Sequence, residues 1–348
     1  MKKFTNHLIL EHELVRGALE KLNVLGIDAI LFVTDKSGKL LGSLTDGDVR
    51  RGFLKGLSFE TPIIDFVQKS PVFIRQDKYT VGEIESYKKR NLKIIPILNE
   101  EDVIVDILNL RIKSNILPVE AVIMAGGKGQ RLLPLTEKCP KPLLKVGDRP
   151  IIEHNVDRLA NFGISKIVIS INYLGEQIKE YFGDGTEKDI IIQYIEETEP
   201  LGTFGALGLY DDFQQEHILL MNSDILTNID FADFYKSFLE SGAQLLVASV
   251  PYTVKVPYAV LEIEQGAVTS FVEKPTYNYY SNGGIYLFHK SLLNGLAKGQ
   301  PFNATDFMDK LISENLKVAH YPILGYWLDI GKHEDYRKAQ EDILHITL

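Results

Sequence analysis

From Val119 onward, short apolar runs alternate with segments of helical spacing. This alternation constrains the fold more than any other feature of the 348-residue chain. Strands are expected over 119–124, 166–171, 190–195, 218–221 and 245–250, and helices over 151–162, 176–182, 204–210 and 231–241. Such an order calls for an α/β domain whose mixed, mostly parallel sheet is covered on both faces. Segments 258–263, 268–272 and 285–288 read as hairpin strands, and 334–344 as a terminal helix.

The first third of the chain has a different character. Leu14, Val15, Ala18, Leu19 and Leu22 keep helical spacing, followed by a strand over 30–33, a turn over 35–38, a strand over 40–44 and a helix over 46–54. A weaker version follows, with a helix over 81–89, a strand over 94–98, a turn over 99–102 and a strand over 103–108. Two units of about 50 residues in the same order point to an internal duplication. The character changes near 111–118, so a small α+β domain over 1–115 and a larger α/β domain over 118–348 are expected.

Positive residues number 38 and negative ones 47, a formal net charge of -9. That disfavours nucleic acid as a partner. A single cysteine, Cys139, excludes an intramolecular disulfide. No apolar stretch approaches the roughly 20 residues of a membrane span. The start, Met-Lys-Lys-Phe-Thr-Asn-His, has some positive charge, but Glu11 breaks the apolar run after it, so no signal peptide is expected. A soluble protein of a reducing, cytoplasmic compartment is the expectation.

The segment after the first α/β strand reads Met124-Ala125-Gly126-Gly127-Lys128-Gly129-Gln130-Arg131-Leu132-Leu133-Pro134-Leu135-Thr136, and then Pro140-Lys141-Pro142-Leu143. Three glycines in four residues let backbone approach a ligand closely, and successive N–H groups in such a turn form an anion site. Arg131 adds a planar fork of donors and Lys141 a compact charge. The Gly-Lys-Ser/Thr ending of a Walker loop is missing, as is the third glycine of the dinucleotide fingerprint. Pro134 stops an immediate long helix.

This segment resembles the signature of the sugar-1-phosphate nucleotidyltransferases, Gly-Gly-x-Gly-Thr-Arg-Leu, Pro-Leu-Thr and Pro-Lys-Pro-Leu, with Gln130 where that family usually has threonine. The likeness runs from about Val119 to the C-terminus. It implies a Rossmann-like catalytic domain, with Ala125, Gly126, Gly127, Gly129, Gln130 and Arg131 at the nucleotide and Lys141 at the phosphates. Two apolar strands end in aspartate, at Asp224 and Asp329, and the resemblance pairs them as Mg²⁺ ligands. Mg²⁺ prefers hard oxygens and takes one or two carboxylates plus substrate phosphates.

Val272-Glu273-Lys274-Pro275 and Asn282-Gly283-Gly284-Ile285-Tyr286 also match family motifs in order. They imply sugar hydroxyls at Glu273 and Asn282, sugar phosphate at Lys274 and close ring approach at Gly284. Tyr277, Tyr279 and Tyr280 either shape a sugar pocket or pack on the core. Pro200-Leu201-Gly202-Thr203-Phe204-Gly205 looks more like guanylyl than thymidylyl transferases. Gly202 gives access, and Thr203 either caps a helix or reaches the base. Glu196 or Glu197 can accept from a guanine edge, with solvated charge the expectation for at least one.

The first third resembles a pair of cystathionine-β-synthase (CBS) motifs, chiefly through Gly42-Ser43-Leu44-Thr45-Asp46-Gly47-Asp48. Thr45 and Asp48 match the positions that hold adenosine ribose and phosphate in ligand-binding members. A helix cap on a docking surface explains them slightly better. The second unit lacks the pair.

Together the resemblances imply a CBS-linked guanylyltransferase that joins GTP to an amino-hexose 1-phosphate, glucosamine 1-phosphate being favoured. Mannose, heptose or dTTP/UTP-dependent glucose chemistry stand as alternatives. A homo-oligomer is expected, since CBS pairs often self-associate. A non-catalytic nucleotide sensor is the reading from another class, and a glycosyltransferase would need a second aspartate beside Asn222-Ser223-Asp224.

Overall fold

The structure is a computed structural model that describes residues 3–76 and 78–348; Met1 and Lys2 of the start considered above lie outside the described residues. The chain divides into two compact units between Ile116 and Leu117.

The first unit holds two three-stranded sheets of the same pairing. Leu8–Leu10 runs parallel to Leu31–Thr34, which pairs antiparallel with Leu40–Leu44. Ile74–Arg75 runs parallel to Ile94–Leu98, which pairs antiparallel with Ile104–Asn109. Each hairpin shifts register at a matching place, between Val33 and Thr34 and between Ile97 and Leu98. The two hairpin turns bond each other: Leu40 N donates to Asp102 O at 3.0 Å and Ile104 N to Gly38 O at 3.2 Å. Side chains alternate across each strand. Leu31 and Val33 therefore join Val15, Ala18 and Leu22 of helix Val15–Leu25, while Phe32 points the other way, onto Ile94, Leu98 and Ile104. Helix Asp46–Leu54 follows the first hairpin; among the described residues no helix follows the second before Leu117.

The second unit is built on a seven-stranded sheet. Its order is Ile191–Glu196, Lys166–Ile171, Val119–Met124, His217–Asn222, Thr276–His289, Leu245–Lys255 and Val318–Pro322. Only Thr276–His289 runs antiparallel to its neighbours. Alternate residues face opposite layers. Val122, Val168, Ile218 and Leu220 pack with Phe204, Leu207, Phe307 and Leu311. On the other face, Tyr235 and Phe238 of helix Phe231–Ser241 meet the His217 ring. Met124 lies level with Ser170 and Asn222 in the ladders, so three neighbouring strands end at one edge.

Two expectations change. The segment 204–210 is one short helix, Gly202–Gly205, followed by a 3₁₀ turn, Ala206–Leu209. A side chain at Gly205 would stand 2.5 Å from Gln300 O, so this stretch is shaped by close backbone contact rather than helical propensity. The segment 285–288 is not a separate hairpin strand. It is the inner end of a 14-residue strand whose outer half pairs with 250–255 as a ribbon, tipped by the hairpin Val260–Glu264 and Ala267–Val272. This arm exposes Tyr252, Leu261, Ile263, Val268, Phe271 and Tyr279. Helix Ala304–Ser313 and edge strand Val318–Pro322 were not anticipated.

Candidate active site

A cleft of about 790 Å³ opens where the parallel strands end, and the glycine loop forms one wall. The motif pieces explain one another. Gly129 has φ +60°, and a Cβ there would stand 2.9 Å from Thr136 Cγ2 and 3.0 Å from Lys141 Cβ. Thr136 Oγ1 donates to Gly129 O at 2.9 Å. The Pro-Leu-Thr and Pro-Lys-Pro-Leu stretches thus lock the loop from behind. Around Gly127 there is open space, which leaves its backbone accessible. Ala125 is buried behind the loop, its N–H taken by Ser170 O at 2.8 Å. Gln130 and Arg131 line the cleft, and the Arg131 guanidinium lies against Gly331, where a Cβ would be 3.5 Å away.

Asp224 follows strand His217–Asn222 by two residues. Short strands Ile225–Thr227 and Trp327–Asp329 pair antiparallel, Ile225 opposite Asp329, and Ile330 N donates to Asp224 O at 3.0 Å. The two aspartates are therefore neighbours. Lys141 Nζ donates to Asp224 Oδ2, with side-chain exposures of 11% and 21%. Asp329 Oδ1 is buried with no hydrogen-bond partner. Burial, and then the adjacent Asp224, raise the Asp329 carboxyl above its ordinary range, against the opposing pull of Lys141 and Arg131. A hard cation suits this donor set: one orphaned carboxylate oxygen beside a second carboxylate. Among the described residues no cluster of three or more His, Cys, Asp or Glu offers an all-protein metal cage.

Glu197, which also lines the cleft, is 9% exposed. Its Oε1 accepts from Ser170 Oγ at 2.6 Å and its Oε2 from Leu201 N at 2.9 Å. Gly126 makes room for it, since a Cβ there would be 3.0 Å from Oε1. Glu196 is the solvated one of the pair, exposed and bonded to Lys179 at 2.5 Å. Gly202 needs its φ of +71° and its missing side chain, because a Cβ would lie 2.5 Å from Asn303 Oδ1. Thr203 lines the cleft but caps no helix; Leu201 holds the N-cap place.

The residues matched to the sugar are placed differently. Gly284 (φ +69°) leaves space for Asn222 Nδ2, 2.7 Å from where its Cβ would be. Asn282 turns back on its own strand, donating to Tyr286 OH at 2.8 Å and accepting from Gly284 N at 2.9 Å. Glu273 and Lys274 sit on the arm, 62% and 70% exposed, outside the cleft lining. Tyr277, Tyr279 and Tyr280 are exposed on the arm, with the Tyr280 ring against His320. In the first unit, Thr45 Oγ1 and Thr45 N donate to Asp48 Oδ2 at 2.6 and 2.9 Å, and Arg51 pairs with Oδ1. This pair closes a capping box on helix Asp46–Leu54. Ser170, Asn222 and Ser223 also shape the cleft; no motif marks them, and only their places at strand ends give them away.

The family model described as nucleotidyl transferase matches residues 120–346, from the first strand of the sheet through both aspartates. The chain belongs to the nucleotidyl transferase family. Among curated relatives of this chain, a probable mannose-1-phosphate guanylyltransferase 3 of Oryza sativa subsp. japonica is 34% identical over 227 residues, covering 63% of each chain. The D-glycero-alpha-D-manno-heptose 1-phosphate guanylyltransferase of Aneurinibacillus thermoaerophilus is 31% identical over 235 residues, 65% of this chain and 99% of the relative. The chain thus spans less than two thirds, 63%, of the length of the rice relative and nearly all of the bacterial one. A crystal structure of HddC from Yersinia pseudotuberculosis complexed with GMP-PN superimposes with a TM-score of 0.51 at 27% identity, covering 64% of this chain and 99% of that one. A putative glucose-1-phosphate thymidylyltransferase from Bacillus anthracis shares the fold, with a TM-score of 0.54 at 24% identity, covering 66% and 97%. Among the described residues of the chain, no helix is long and apolar enough to cross a membrane.

Proposed function

We propose that the chain is a sugar-1-phosphate guanylyltransferase. The observation that carries this reading is the meeting, in one cleft, of the open glycine loop, Arg131, Lys141 and the Asp224–Asp329 pair. An oxygen of the sugar 1-phosphate attacks the α-phosphorus of the nucleoside triphosphate. The bond from that phosphorus to the β-phosphate oxygen breaks, and pyrophosphate leaves in line. No protein nucleophile is needed, so catalysis is positioning and charge neutralisation. Loop amides from Gly126 to Gln130 and the Arg131 fork hold the triphosphate, and Lys141 neutralises phosphate charge. Asp224 and Asp329 would hold Mg²⁺, which supplies charge neutralisation at the reacting phosphates when bound.

Guanine is the favoured base. A buried carboxylate, Glu197, stands in the cleft wall with no cation against it among the described residues, and each of its oxygens retains a lone pair, one for the ring N1–H and one for the exocyclic amino group of guanine. The named relatives are guanylyltransferases as well. For the sugar, glucosamine 1-phosphate is the reading from sequence resemblance; the names of the relatives favour mannose or heptose 1-phosphate as the competing one. Glu273 and Lys274 are assigned to the sugar phosphate side, and Asn282 and Gly284 to the ring. The first unit, over 1–115, is read as a CBS pair arising by duplication, with an adenine nucleotide as its candidate ligand and self-association as its role. The unit over 118–348 is read as catalytic, and the whole as a soluble cytoplasmic homo-oligomer.

The test is a matrix of four nucleoside triphosphates against glucosamine, mannose, heptose and glucose 1-phosphates with Mg²⁺, scored by pyrophosphate release. Turnover is expected in the GTP row. Arg131→Ala and Asp224→Ala should each lose on the order of 100-fold or more. A chain silent across the matrix would be a nucleotide sensor instead.

A further inference from the structure

The two aspartates repel each other across paired strands, and burial sharpens that repulsion. Among the described residues, Lys141 is the one cation in ion-pair contact with either. Its stem is fixed, for Lys141 opens the 3₁₀ turn Lys141–Leu143 between two prolines, and its Cβ packs beneath Gly129. Its ammonium group is the movable part. The same side chain thus runs from the anion loop to the carboxylate pair. One positive charge against two negative ones leaves the cluster with a net charge of minus one, and Asp329 Oδ1 remains unpartnered.

We infer that Lys141 is a resident counter-cation that guards the Asp224–Asp329 pair, so that a divalent ion binds well only when it arrives with a triphosphate. The inference rests on the transferase reading above. The triphosphate gives the ammonium a new anionic partner at the glycine loop, and the departing ammonium uncovers Asp224 for the metal. Lys141 is then a positioning residue for the metal as well as a phosphate ligand. A bare ion has nothing to draw the lysine away. Divalent-ion affinity rises with the negative charge of the site. Removing the lysine charge should therefore strengthen binding of the metal alone, although it damages turnover.

The experiment titrates the full chain with Mn²⁺ in the absence of nucleotide and reads free Mn²⁺ by electron paramagnetic resonance. Lys141→Met should bind Mn²⁺ at least about tenfold more tightly than wild type, and Lys141→Arg should match wild type. Binding by Lys141→Met that is no tighter than wild type overturns the inference. So does a gain that survives in the double variant Lys141→Met/Asp329→Asn, because the ion then sits elsewhere. If Lys141→Met unfolds in chelator, Mn²⁺ alone should refold it, and failure to do so also overturns the inference. Silence of the wild type in the pyrophosphate matrix would defeat the transferase reading without touching this comparison.

Discussion

Gly284 and Gly202 hold positions that no side chain can share. At Gly284 an added methyl meets both a left-handed φ of +69° and the Asn222 amide. Gly284→Ala should cost about 1–3 kcal/mol of stability by denaturant titration, and should displace Asn222 from the cleft wall. Glu197→Gln tests a polar contact. The amide keeps an acceptor for Ser170 or Leu201 but loses the charge offered to a base, so KM for GTP should rise several-fold while kcat changes little. An unchanged KM would remove Glu197 from base recognition. The glycine loop was legible because its residues are contiguous and their chemistry is local. Glu197 was legible only as one of two candidates. What chooses it over Glu196 is the Ser170 hydroxyl, 27 residues away in sequence, which no local pattern announces. The sugar-side residues show the same limit. Asn282 looked free to meet a ligand, yet its amide is engaged by Tyr286 and Gly284.

At the scale of elements, termini and packing decide what a sequence reveals. Helices Asp46–Leu54, Val81–Lys89 and Phe231–Ser241 have the bounds that periodicity and caps suggest. Asp230 accepts from Ala232 N and Asp233 N at the start of the last. Asp230→Ala should lower stability by about 1 kcal/mol, read as a fall in the midpoint of chemical unfolding. The 204–210 segment misled because its apolar spacing is helical while Gly205 and Gly208 are pressed against backbone at 300 and 297. Strand Val318–Pro322 escaped notice because it has a single neighbour and half-buried residues, so no apolar run marks it. Charge also ties elements together. Burial pushes the Glu153 carboxyl up, but bonds from Lys188 and Tyr181 outweigh it and hold the group below its ordinary 4.5. A depressed carboxyl contributes stability that is present above that value and fades as pH falls through the folded value. Glu153→Gln should therefore lower the melting temperature near neutrality and flatten its acid limb, variant and wild type converging as pH falls below about 4.5.

At the scale of the molecule, the chain carries separate apolar cores on the two sides of Ile116 and Leu117. A chain starting at Leu117 should therefore fold on its own, which circular dichroism and a cooperative melt would check. The change in patterning near 111–118 made two regions visible in the sequence. The mutual bonding of the two hairpin turns in the first unit was not visible, because backbone bonds between distant turns leave no trace in residue type.

The long antiparallel strand has a mechanical consequence. One continuous run, Thr276–His289, begins on the solvated arm and ends in the centre of the sheet, and its inner end pairs with both His217–Asn222 and Leu245–Lys255. The arm tip turns at Gln265 and Gly266, both at positive φ. A protease that severs this tip would create two new chain ends, yet each fragment would remain knitted into the central ladder. The nicked protein should run as two bands on a denaturing gel and elute as one species from a sizing column, with its melting transition nearly unmoved.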